Sequence, residues 1–192
     1  MKTKHILIAF AITAIAQLAI PLKMVYDSEI TATEGTEYKF RTQPIDPSDP
    51  FRGKYITLNY DVSSFDSKDT TWVQGETVYA EVITDSAGFA KLSSLSRNIP
   101  KESDYFKTVV RYQIHETVTL EIPFDRYYME ESKAHEAEVA YRKYSQDNVK
   151  PAYAVVALKD GNAVVKDVII DGKPVREYVL KARKKPANRK VQ

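Results

Sequence analysis

A chain of 192 residues, 43% hydrophobic and 28% charged, is long enough for one packed domain with appendages and too apolar for a disordered protein. A formal net charge of +2 provides no overall field that would gather nucleic acid or an acidic substrate. The absence of cysteine excludes disulfides, thiolate nucleophiles and thiolate-bound metal, so the fold must stand on packing alone.

Behind Met1-Lys2-Thr3-Lys4-His5, the residues Ile6 to Leu22 are apolar on every face, broken only by Thr13 and Gln17 and closed by Pro21 and Lys23. Two leading lysines favour an N-terminus-inside orientation. Seventeen residues at about 1.5 Å each reach about 25 Å, the short end of a membrane span, and Lys4 and Lys23 can snorkel to extend it. A cleaved signal peptide also fits, because Ala14-Ile15-Ala16 meets the small-x-small rule. Against cleavage, the chain stays apolar through Leu22, where a mature N-terminus normally turns polar. A buried helix of a soluble protein fits least. The expected layout is therefore a retained single-pass anchor over residues 1–25 and an extracytoplasmic domain over 26–180. A basic tail follows over 181–192, carrying Lys181, Arg183, Lys184, Lys185, Arg189 and Lys190.

Next comes a loop, Pro44 to Gly53, that packs prolines and aspartates ahead of a strand. Asp-Pro pairs favour turns, since proline fixes φ and the aspartate can bond nearby backbone. Asp46, Asp49 and Arg52 are then either turn caps with a structural arginine or a ligand-contacting rim on a rigid scaffold. Beyond the loop, Ile56, Leu58, Tyr60 and Val62 alternate with Tyr55, Thr57, Asn59 and Asp61, which predicts a half-buried strand. Tyr60 belongs to its core side, while Tyr55 is the better candidate for outside contact. Similar alternation predicts strands over Thr77–Ile83, Lys107–Tyr112 and Thr117–Ile122, whereas Asp85–Lys101 is ambiguous.

Between Glu130 and Tyr144 the spacing of Ala134, Ala137, Tyr141 and Tyr144 predicts a helix. Its Glu131, His135 and Glu138 share one face and have metal-ligand chemistry, although a solvated face with Glu138 paired to Arg142 explains them as simply. Neither a metal nor another cofactor is expected. Asp160-Gly161 marks a hairpin inside Val156–Ile170, and Asp171-Gly172 marks a turn before a strand over Val175–Leu180. The fold class expected is β-rich α+β: a largely antiparallel sheet or partly open barrel with one packed helix, preceded by the transmembrane helix.

The segment Gly53-Lys54-Tyr55-Ile56-Thr57-Leu58-Asn59-Tyr60 resembles the signature of the GDYXXLXY family, with lysine in place of the aspartate. The Asp-Pro-rich approach to Arg52 resembles that family's too, and Arg126-Tyr127-Tyr128-Met129-Glu130-Glu131 is similar to its second segment, with Ser132 where glycine is usual. The resemblance implies a membrane-anchored bacterial protein and no particular reaction.

Two functions remain in view. The first is a tethered binding or assembly module that uses Asp46, Asp49, Arg52, Gly53 and Tyr55, with Tyr128 and Glu131, to hold a partner such as another membrane protein. The second is an extracytoplasmic hydrolase or metal-dependent enzyme built from Asp46, Asp49, Glu131 and His135. The first is preferred because no nucleophile–base pairing, phosphate loop or dinucleotide fingerprint is visible, and so no catalytic residue is assigned. Neither reading names a small-molecule ligand. Nucleic acid is not an expected partner, and the basic tail suits anionic lipid or polymer surfaces.

Overall fold

The computed structural model describes residues 3–43, 55–128 and 152–177. A long helix, α1 (Thr3–Glu34), opens the chain and contains Pro21. The helix passes Pro21 and runs beyond residue 25, the expected end of the anchor, because a missing N–H costs one internal hydrogen bond and a single such loss does not end a helix this long. From Ile6 to Tyr26 its large apolar side chains are all more than half exposed. Lys23 pairs with Asp27 one turn on. Past that point the helix lies on the strands: Thr31 is buried, and Lys159 pairs with Glu34.

Among the described residues twelve strands follow: β1 (Thr36–Gln43), β2 (Tyr55–Thr57), β3 (Asn59–Tyr60), β4 (Ser64–Asp66), β5 (Thr77–Thr84), β6 (Ala90–Ser96), β7 (Tyr105–Ile114), β8 (Thr117–Glu121), β9 (Arg126–Tyr128), β10 (Tyr153–Lys159), β11 (Asn162–Ile170) and β12 (Lys173–Pro174). They form one sheet in the order β12-β11-β10-β1-β3, a second in the order β4-β8-β7-β5-β6, and a two-stranded ladder, β2-β9. Among the described residues every ladder is antiparallel, and short turns join the sequential pairs β5–β6, β7–β8, β10–β11 and β11–β12. The β10–β11 turn supports the predicted hairpin, with φ of 50° at Asp160 and 82° at Gly161. That turn also joins the two large sheets, since Lys107 N donates to Gly161 O at 2.9 Å. Together the sheets make a strand-rich, nearly closed barrel.

Its core is a single cluster from both sheets. At the centre, Phe40 of β1 meets Tyr60, Phe106 and Phe124 with ring centroids 6.0, 6.3 and 5.1 Å away. The buried Tyr60 hydroxyl donates to Phe124 O at 2.9 Å, so the one polar atom in this aromatic group is paired.

Three expectations change. The strand predicted over 55–62 is broken at Leu58, whose N–H donates to Asp125 O at 2.7 Å, and it ends in a 3-10 turn, Asp61–Ser63. Leu58, Tyr60 and Val62 are nevertheless buried, as the alternation predicted. Ambiguous Asp85–Lys101 contains β6, obscured because a bulge opposite Glu81/Val82 switches its inward residues from Ala90 and Leu92 to Leu95. No strand begins at Val175: β12 comes earlier, at Lys173–Pro174, and residues 175–177 are helical. The helix predicted over Glu130–Tyr144 lies outside the described residues.

A charged clamp holds the long β4–β5 connection. Arg97 lies over the Trp72 ring at 4.0 Å, donates from Nε to Glu76 at 2.6 Å and from Nη1 to Asp69 at 3.0 Å. Hydrogen bonds from the Thr71 hydroxyl and backbone N–H, and then from Arg97, pull the Asp69 carboxyl from 3.8 down to about 2. Glu76 is lowered as well, first by Arg97. A depressed folded-state pKa stabilises the fold above the ordinary carboxylate range and loses that contribution as pH falls toward 2. Arg97→Ala is therefore expected to cost more stability at pH 5 than at pH 2. Thermal unfolding of both proteins across that interval checks it; a gap that widens on acidification contradicts the clamp.

Candidate functional site

The register of the β2-β9 ladder places Tyr55 opposite Tyr128, Ile56 opposite Tyr127 and Thr57 opposite Arg126. Cα atoms facing each other across an antiparallel pair lie about 4.5–5.5 Å apart. Two of the residues singled out from sequence thus meet directly. Each also borders one of the remaining candidates: Asp46, Asp49, Arg52 and Gly53 precede Tyr55, and Glu131 and His135 follow Tyr128. Those six lie outside the described residues. Even so, both stretches are bonded to the same end of one short ladder. Tyr128 is 64% exposed there, so a partner can reach it.

The ladder is fixed at both sides. On the β3 side, Leu58 bonds Asp125. On the β11 side, the Tyr127 hydroxyl donates to Asp167 Oδ1 at 3.2 Å, and Arg176 Nη2 donates to Asp167 Oδ2 at 2.9 Å. Burial, then the charge of Asp167, pushes the Tyr127 phenol up to about 12, so it stays a donor at any physiological pH. The hydrogen bond to Asp167 likewise raises Arg176. Asp167 reaches this position through a bulge: β11 carries Lys166 as an extra residue opposite Val155/Val156 of β10, and its inward residues change from Ala163 and Val165 to Val168 and Ile170. Bulges often re-aim side chains near sites. None of Tyr127, Asp167 and Arg176 was picked out as a candidate; the only signal was Lys166-Asp167 interrupting an otherwise apolar strand.

Along β1, about 23 Å separate the helix junction at Thr36 from Gln43, where the loop over 44–54 departs. Close to that far end lies a cleft of about 710 Å³. Both edge strands of the second sheet, as described, border it, β4 through Phe65 and Asp66, and β6 through Ala90 to Ser93. Arg41 lies on its wall, over the Phe89 ring at 4.3 Å and 3.5 Å from Asp85. Asp85 is held below the usual carboxylate range, chiefly by the Phe89 backbone N–H. Among the described residues, Arg41 Nε and Thr42 Oγ1 are buried without a hydrogen-bond partner, immediately before the loop. Such atoms are uncommon in a finished interior.

Tyr128 at the ladder, and Asp61, Asp66 and Lys91 along the cleft, are exposed groups chemically able to make ring contacts, hydrogen bonds and ion pairs. Among the described residues no cluster of three histidine, aspartate or glutamate side chains could hold a metal. No curated protein and no solved structure matches the chain. The family model described as GDYXXLXY protein matches residues 17–168, which includes both segments joined at Tyr55 and Tyr128. By that match over most of its length, the chain belongs to the GDYXXLXY family.

Proposed function

We propose that this protein is a membrane-tethered binding or assembly module whose docking surface is the end of the barrel bearing Tyr55 and Tyr128. The register Tyr55↔Tyr128 carries this reading, because it gathers both family segments at one point of the fold. The 64% exposure of Tyr128 supports it, as a ring that a partner can cover. In this reading α1 is an uncut signal-anchor in the cytoplasmic membrane of a bacterium, its N-terminus inside and the domain outside, in the periplasm where there is one. Retention is favoured by the apolar run continuing to Leu22, well past Ala16, so that cleavage there leaves an apolar stretch exposed.

Tyr128 serves as both topology marker and test. Because the chain lacks cysteine, Tyr128→Cys gives a single thiol that a membrane-impermeant reagent is expected to label in intact spheroplasts. Labelling only after lysis contradicts the orientation. Tyr128→Asp is expected to reduce recovery of a stoichiometric membrane partner by about tenfold or more, as loss of an interfacial tyrosine anchor does, measured on protein shown by circular dichroism to be folded. Undiminished recovery of that partner removes this surface from consideration.

A further inference from the structure

A second cavity, of about 440 Å³, lies where the apolar part of α1 ends. Ser28 of α1 lines it, together with Ile99 of the β6–β7 connection and Tyr79, Tyr105 and Pro123. Ser28 stands two residues past Tyr26, the last exposed apolar side chain of the helix and a rise of only about 3 Å. With the span closing at Lys23, Ser28 lies about 8 Å further along the helix, at the outer edge of a headgroup layer several ångströms deep. Ile99 borders the same cavity and is 59% exposed.

We propose that the loop tip Asn98-Ile99-Pro100 inserts into the headgroup region of the bilayer that α1 spans, giving the domain a second, apolar membrane contact. The inference rests on the anchored reading above. Four observations carry it. The surface is continuous with the span, because α1 packs against β10 and β11 without an intervening linker. The exposed side chain at the tip is a large aliphatic one. Pro100 has no N–H, which removes one donor that lipid would leave unsatisfied. Behind the tip, Tyr79 and Tyr105 meet edge to face at 5.6 Å, the residue type that settles at membrane interfaces. Nearby charges are mixed, Lys101 and Lys107 against Glu102 and Asp160, so the contact is apolar rather than electrostatic and high salt should leave it intact.

The cysteine-free chain allows a direct test. Full-length Ile99→Cys, Ile15→Cys and Ile83→Cys proteins, each carrying an environment-sensitive fluorophore, are reconstituted into phosphatidylcholine vesicles containing lipids spin-labelled at shallow or deep positions. Ile83 is the aqueous reference, since it is exposed on β5 beside the other cleft. The Ile99 label should emit at shorter wavelength than the Ile83 label and be quenched by shallow spin labels in both low and high salt. The Ile15 label should be quenched by the deep ones. An Ile99 label as wet as the Ile83 label, with Ile15 quenched, overturns the insertion while leaving the anchor intact. An unquenched Ile15 label overturns the anchor and the insertion with it.

Discussion

Phe40→Ala is expected to lower stability by about 3–5 kcal/mol, the range for deleting a buried aromatic ring. Phe40 has no solvent exposure and is the contact through which β1 of the first sheet touches Phe106 of β7 in the second. The gap cannot close easily, because its neighbours are held by ladders on both sides: Phe40 itself is paired with Ala154, and Phe106 with Ala80. Set against a total stability of roughly 5–15 kcal/mol, the loss leaves the domain marginal. The readout is thermal or denaturant unfolding of the purified chain. Ile83→Ala, at a side chain 47% exposed, is the comparison and should stay within about 0.5 kcal/mol of the parent. A Phe40→Ala loss below about 1 kcal/mol contradicts the packing of the two sheets through this ring.

The second large effect is at Gly35→Ala. A Cβ there lies 2.4 Å from Thr31 O and 2.9 Å from Leu158 O. Both are backbone atoms, one in the last turn of α1 and the other in the residue paired with Thr36, so no rotamer change relieves the clash. Overpacking of this kind costs about 1–3 kcal/mol, occasionally more. Here the cost should fall on the joint: faster amide exchange over residues 31–38 and new protease cleavage near residue 35. Gly172→Ala is the informative contrast. Its φ of +74° strains an alanine, but nothing lies within 4 Å, so about 1 kcal/mol is expected and the joint stays protected. Equal protection of the joint in both variants refutes the close approach at Gly35.

Much of the fold was legible because local chemistry and tertiary role agree. The alternation in Thr77–Ile83 matches β5, whose Val78, Ala80 and Val82 are buried, and the Asp160-Gly161 pair marks the β10–β11 hairpin. Legibility failed where a single extra residue changes the phase. In β11, Ala163 and Val165 face the core before the bulge, and Val168 and Ile170 after it, so the sequence shows no steady period of two. Ser93 does the same in β6, where serines also dilute the apolar signal. The turn between β7 and β8 has no glycine; His115 takes φ of 54° instead. Of the candidate site, Tyr55 and Tyr128 were readable as residues but not as neighbours. Their pairing joins segments more than seventy positions apart, and only long-range register reveals it. Asp167 and Arg176 escaped for a similar reason, since a lone acid in a strand looks like any solvated side chain.

The tight turn at Gly35 leaves the domain no tether on which to wander. Once α1 is seated in a bilayer, the barrel occupies one altitude above it and one azimuth about the helix axis. It can translate in the plane and spin about the normal, but it cannot bow or swing. A flexibly leashed domain searches a hemisphere, whereas this one searches a thin sheet of space, and any partner presenting its epitope at the same height meets it in two dimensions. If the proposed tethering holds, the encounter would be concentrated without a single added contact, and a partner whose epitope lay a few ångströms too high or too low would be refused.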